Sequence, residues 1–349
     1  MLKYIVKRLL LMIVVIIGVV TIAFVLNELT TGDAATIQAG SAATEEEIEA
    51  IRESLGLNRP ALVRYGEYVW NLFTKLDFGT SLTTKQPVID EILTRFPTTI
   101  KLAVLSILLA IIIGIPLGVI AAVKRSTWID NLSMTVSLLG VSIPQFWLGL
   151  MLMYLFAAVL GWLPASGINQ GWKCWVMPVF TLGFSGAATI ARTTRSSMLE
   201  VIRQDYMRTA KAKGQTSFKV VVLHGMRNAL IPIITVVGNQ LGHQLGGAVM
   251  VESVFSLPGM GTYLISSINA RNSVSLQGGV VFLSLVFSFV NLAVDLLYIA
   301  VDPSLKTLFV SKGRKAARKV GMEHLKDKLD EMADEIHEET KQEGEKLNG

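Results

Sequence analysis

The chain has 349 residues and a net charge of +5; 51% of its residues are hydrophobic and 17% charged, and its mean hydropathy is +0.51. A soluble domain of this size carries about a quarter charged residues, so the composition describes an integral membrane protein. The bases sit beside apolar runs, which fits membrane topology and not nucleic acid, and the lone Cys174 excludes an intramolecular disulfide and a cysteine-based metal site.

Six apolar runs follow one another at 9–26, 102–123, 132–160, 176–191, 230–251 and 280–301. Each is near the ~20 residues that cross a bilayer as a helix. The first follows Lys3, Lys7 and Arg8, as a signal peptide would. At about 18 residues it exceeds a cleavable apolar segment of 7–15, and no small-residue cleavage site follows closely. It reads as an uncleaved first transmembrane helix, residues 1–29.

Lys and Arg in the short loops set the orientation. They precede run one, lie between runs two and three (Lys124, Arg125) and between runs four and five (192–228), and follow run six. Of the alternate loops, 161–170 has no charge and 253–279 has only Arg271. The long 27–98 loop carries several bases but is of a length that translocates largely regardless of charge. Both termini and the 192–228 loop are therefore expected to face the cytoplasm, in a multi-pass protein of the cell membrane.

Residues 30–98 form an extracytoplasmic loop. Thr44-Glu-Glu-Glu47 fits a capping box, opening a helix with Ile48, Ile51 and Leu55 on one face. Pro60 opens a second, with Leu62, Tyr65, Val69 and Leu72 on its apolar face. A small helical cap over the membrane domain is one reading, and a surface receiving an external partner is the other.

The helices of the membrane domain, residues 99–302, carry more than anchoring requires. The fifth has Gly238, Gly242 and Gly246 at four-residue spacing, a stripe that lets a neighbouring helix approach. It also carries Asn239, Gln240, His243 and Gln244, which are costly against lipid and so face protein or a watery path. Gln145 follows Pro144 at an expected kink in helix three, and Asn291 and Asp295 lie one turn apart in helix six as candidates for intramembrane pairing. Any one of these fits interhelical hydrogen bonding; together they suggest a polar translocation path.

Two enzymatic readings fail. Gly183-Phe-Ser-Gly186 resembles a rhomboid protease motif, but the sixth helix has no histidine to serve as base. No catalytic residue is assigned and no metal is expected. There is also no Gly-x-x-x-x-Gly-Lys-[Ser/Thr] loop, so any ATP must be hydrolysed by another chain.

Within the 192–228 loop lies Asp205-Tyr-Met-Arg-Thr-Ala-Lys-Ala-Lys-Gly214, soluble, basic and helix-prone. It resembles the EAA loop of binding-protein-dependent ABC importer permeases, with Arg208-Thr209-Ala210 where Glu-Ala-Ala is usual. This departure is shared with the dipeptide/oligopeptide/nickel branch. So are Leu55-Gly-Leu57, Asp77-Phe-Gly-x-Ser81, Ile115-Pro-Leu-Gly118, Ser142-Ile-Pro-Gln-Phe146, Arg227-Asn-Ala-Leu-Ile-Pro232, Val251-Glu-Ser-Val-Phe255, Pro258-Gly259 and Val294-Asp-Leu-Leu-Tyr298 with Asp302-Pro303. The match covers nearly the whole chain and is closest to the first permease of such systems.

The resemblance implies an all-α, six-helix transmembrane domain of the type I importer class with an external helical loop. It implies a second permease, usually a heterodimer partner, two ATPase subunits holding ATP-Mg, and an external binding protein. Asp205, Arg208, Thr209, Ala210, Lys211, Lys213 and Gly214 would dock the ATPase, small Ala210 and Gly214 allowing close seating. Di- or oligopeptides are the expected cargo; nickel chelates, glutathione and oligosaccharides stay open, and a membrane scaffold is the non-transport alternative. In the tail, residues 303–349, Met322, Leu325, Leu329, Met332 and Ile336 follow coiled-coil spacing over about two heptads, short of a firm assignment. A solvated tail or a contact for a cytoplasmic partner both fit.

Overall fold

Pro144 decides the shape of the middle of the chain. The residue before a proline is pushed out of the helical region, and Ile143 is extended (φ −76°, ψ 123°), ending helix α6 (Trp128–Ser142). Pro144 then caps α7 (Gln145–Leu152), which continues as a π-helix, Met153–Val159. The two halves meet at 102°, so run 132–160 is a broken span and not the single kinked helix expected.

The computed structural model describes residues 2–29, 34–40 and 43–301; the tail segment lies outside them. The described residues are helical, without a named strand; an isolated bridge pairs Thr80 with Pro87. Five helices are long and apolar enough to cross a membrane, and six spans result if the bent pair counts as one. They are α1 (Leu2–Leu29), α5 (Val88–Val123), α8 (Lys173–Ile202), the continuous run from α10 (Ser217–Lys219) through π-helical Val220–Met226 into α11 (Arg227–Val254), and α13 (Ser273–Val301). Between α1 and α5 lie α2 (Ala34–Ala39), α3 (Glu45–Ser54) and α4 (Ala61–Lys75); α9 (Asp205–Ala212) precedes α10, and α12 (Met260–Asn269) precedes α13.

At the centre, α5 lies against α8 through bare backbone. A Cβ on Gly114 would come 2.7 Å from the Ala187 carbonyl, and one on Gly118 2.5 Å from that of Ala191. A Cβ on Gly183 of α8 would lie 2.9 Å from the Ser106 carbonyl. Small residues at the crossing let two backbones pack where lipid supplies no hydrophobic drive. At one end Asp130 (2% exposed) takes a two-pronged grip from Arg195, Nε–Oδ1 2.6 Å and Nη2–Oδ2 2.8 Å, joining α6 to α8.

Helix α1 is bound to α13 near both ends. The Arg8 guanidinium meets the Asp295 carboxylate at 3.0 Å, and Asn27 Nδ2 donates to Gln277 at 3.2 Å. Ile16 and Val20 fill the core between them with Leu72, Phe78, Val88, Ile92, Met260 and Val281. Leu10, Leu11, Val14, Ile22 and Leu26 of α1 stay exposed, as on a lipid-facing helix.

The loop after α1 carries its expected helix starts. Thr44 Oγ1 accepts from the Glu47 amide, and the Glu47 carboxylate accepts from the Thr44 amide at 2.8 Å, a complete capping box. The expected apolar face of α3 buries nothing, however, and Leu62 of α4 is 84% exposed. Tyr65, Val69 and Leu72 do pack on the core, and Tyr65 hydrogen-bonds Thr21 of α1 at 2.7 Å.

Two corners account for motifs without an evident purpose in the sequence. Asn272, before α13, donates to Ser81 (2.8 Å) and Thr83 (3.0 Å) and accepts from the Leu82 amide (3.3 Å), latching the 77–87 stretch down. In the last turn of α11, Glu252 is wholly buried and, among the described residues, meets no cation. It accepts from Thr99 Oγ1 and the Gly261 amide, both at 2.6 Å, while Thr99 accepts from the Met260 amide at 2.8 Å. A Cβ on Gly259 would clash with that carboxylate, which explains Val251-Glu-Ser-Val-Phe255 with Pro258-Gly259.

Candidate functional site

Two regions hold the polar residues singled out above. The first is a cavity of about 850 Å³ walled by α1, α7, α8, α11 and α13. Gln145, Gln240, His243 and Gln244 all line it, joined by Ser185, Thr189, Ser284 and Ser288. The helices deliver them by phase: on α11, positions 240, 243 and 244 share one face, and Gln145 arrives because the break at Pro144 turns the first residue of α7 inward. Asn239 points elsewhere and is not part of the wall.

Among the described residues no Asp, Glu, Lys or Arg lines this cavity. It offers hydroxyls, carboxamides and one imidazole, and holds no fixed charge. Gln244 is 4% exposed, yet among the described residues neither its amide nitrogen nor its oxygen has a hydrogen-bond partner. Burying such a group unpaired costs about 1–3 kcal/mol, which is unusual unless something else completes it. Ser185 and His243 share the cavity without a hydrogen bond between them, so no nucleophile–base pair forms.

The glycine stripe divides its work. Gly238 and Gly242 face α13: a Cβ on the first would clash with Val294, and one on the second would come 2.8 Å from Phe287. Gly246 has open space and lines the cavity, so its packing role is corrected. Of the two residues expected to pair in helix six, Asp295 does so, with Arg8 of α1, 287 residues away.

The second region is the basic loop. Helix α9 runs from Asp205 to Ala212, and Gly214 follows in the left-handed region (φ 76°) with its amide donating to the Lys211 carbonyl at 3.1 Å. That is the glycine-terminated helix end. Asp205, Arg208, Thr209, Lys211, Lys213 and Gly214 are exposed, but Ala210 is not. Ala210 and Met207 turn inward onto Val220, Val201 and Ile202, one turn of helix placing both on the same face. Ala210 therefore seats α9 on its own chain and is unavailable to a partner.

Two aromatics stand out on the same surface: Tyr206 is 42% and Phe218 75% exposed. Sequence periodicity gave no hint of them, because an aromatic among bases reads as a buried anchor as readily as a free one. Beneath α9, a Cβ on Gly225 would meet the Met207 and Met198 methyls, each at 3.2 Å, so α9 and α8 rest together on the π-helical turn.

Residues 114–307 match the family described as binding-protein-dependent transport system inner membrane component, and residues 1–103 match its N-terminal region. The chain belongs to this family. The glutathione transport system permease protein GsiC of Escherichia coli (strain K12) is 42% identical over 306 residues, covering 88% of this chain and 99% of that protein. GsiC of Salmonella typhimurium matches equally, at 42% over 88% and 99%. Among solved structures, the inward-facing MetNI methionine ABC transporter in its native crystal form gives a TM-score of 0.52 at 20% identity, covering 61% of this chain and 97% of that one. A second MetNI crystal form gives 0.53 at 19%, covering 61% and 96%. The fold is that of an ABC importer transmembrane domain. This permease is a multi-pass, non-enzymatic transport subunit that works with an ATPase and a binding protein, and the rhomboid and scaffold readings fall away.

Proposed function

We propose that this permease forms half of the translocation path for short peptides, glutathione included, which an external binding protein delivers. The observation that carries this reading is the 850 Å³ cavity lined by carboxamides, hydroxyls and an imidazole, with no charged side chain among the described residues. Such a wall offers hydrogen bonds to a zwitterionic or amide-rich molecule without trapping it by charge. The 42% identity to glutathione permeases points the same way.

In this reading a second, different permease closes the other half of the path, and two ATPase subunits grip one such loop each. The exposed groups of Asp205, Arg208, Thr209, Lys211, Lys213 and Gly214, with Tyr206 and Phe218, meet the ATPase. Movement passes through Met207 and Met198, packed at Gly225, into α8 and α11. A rigid helix seated on a closing partner turns that closure into rocking of membrane helices. The loop and both termini lie in the cytoplasm, following the positive-inside distribution. Asn239, which is exposed and misses the cavity, is left out of the path.

The test is ATP-driven uptake of glutathione and of trialanine by the assembled transporter in proteoliposomes. We expect uptake of at least one, dependent on binding protein and on ATP. Uptake of an oligosaccharide or a nickel chelate with neither peptide would overturn the cargo assignment while leaving the permease family intact.

A further inference from the structure

The cavity contains one arrangement that its general polarity does not explain. Gln244 is nearly sealed from solvent and uses neither half of its carboxamide. Gln240, one turn earlier on α11, also makes no hydrogen bond within the described residues, and both line the cavity. The bare backbone of Gly186 lies directly against them: a Cβ there would come 2.9 Å from Gln244 Nε2 and 3.6 Å from Gln240 Nε2. The glycine keeps room for both amides.

We infer that Gln244 and Gln240 read the peptide groups of the cargo, a reading that rests on the peptide path proposed above. A carboxamide presents a donor and an acceptor side by side, and so does a residue of an extended chain, whose own N–H and C=O point to the same edge. Residues four apart on a helix rise about 6 Å, and peptide groups on one edge of an extended chain recur at about 6.8 Å. Two glutamines one turn apart therefore meet alternate peptide groups of an extended substrate nearly in register. The recognition ignores side chains, as a path used by many peptides requires, and leaves their selection to the binding protein. It also gives the orphaned Gln244 amide the partner that the protein withholds.

The experiment uses the complete transporter in proteoliposomes, with tetraalanine and two ester analogues in which oxygen replaces the first or the third peptide N–H, the two that share one edge of the extended chain. Each is presented on saturated binding protein, so that affinity for that protein drops out. The wild type should transport tetraalanine about tenfold faster than at least one analogue, the size of one hydrogen bond. Gln244→Met keeps the length of the side chain and removes its hydrogen bonding, and should bring the ratio for that analogue close to one; Gln240→Met should act on the other. A merely structural role would slow all three substrates alike and leave the ratio unchanged, which overturns the inference. Equal transport of amide and ester by the wild type overturns it as well, whatever the variants do. If the wild type transports no peptide at all, the cargo assignment fails and this inference falls with it.

Discussion

The Arg8–Asp295 pair shows how a costly residue is settled. A carboxylate near the end of a membrane helix needs a cation or water, and the first helix supplies the cation at 3.0 Å. Asp295→Asn should lower the amount of assembled permease in the membrane, while the exchange Arg8→Asp with Asp295→Arg should restore it, as read by immunoblot of the purified complex. Uptake by the wild type should persist with an uncoupler present at constant ATP, since a carboxylate held by Arg8 is not free to relay protons. Gly214 poses a different question. Its φ of 76° needs a left-handed residue, but the space around it is open, so backbone conformation alone decides. Gly214→Asn should keep most of the ATP-driven uptake, Gly214→Ala should cost about 1 kcal/mol of loop stability, and Gly214→Val should cost more. A ranking by side-chain size, with Asn worse than Ala, would instead point to steric seating on the partner.

Among the elements, α9 divides what the sequence makes visible from what it conceals. Its existence, its basic character and its glycine stop are legible, because each rests on local chemistry. Which residues face outward is not, since that depends on the groove formed by Val201, Ile202 and Val220. Ala210→Trp should therefore dislodge α9 from its own chain and reduce the yield of folded permease, and it cannot isolate docking. Phe218→Ala and Tyr206→Ala should leave membrane levels intact and weaken co-purification with the ATPase; unchanged co-purification in both would remove these aromatics from the interface. The capping box of α3 and the start of α4 at Pro60 were equally readable. The 102° break at Pro144 was visible as a proline but not as a sharp turn, for its angle is set by what α7 packs against. Glu252 hid for the same reason: its partners Thr99 and Gly261 come from other elements.

For the whole molecule, the order of apolar runs and the family motifs made the helix count and class legible, and the cavity gathered four of the five polar residues proposed for the path. The clasp of α1 on α13 was not legible, because Arg8 and Asp295 lie at opposite ends of the chain. Orientation follows from charge in the short loops and can be checked directly. In a Cys174→Ala background, cysteines placed at the exposed Lys75 and Gln215 should react with an impermeant thiol reagent from opposite sides of the membrane. Labelling of position 215 from outside intact cells would invert the topology and with it the docking assignment.

The π-helical turn Val220–Met226 gives the loop a definite angular setting. A π turn takes more residues per revolution than an α turn, so it acts as a phase shifter between the loop and the long helix that continues from it. Each α-helical residue advances about 100°. Losing a single residue from this stretch would let the ladder relax to α-helix and swing α9 by roughly that angle about the axis of α11. The bases and aromatics of the loop would then point along a different bearing, with every side chain still present. In this protein the proposed coupling surface would be aimed by a count of residues as much as by their chemistry.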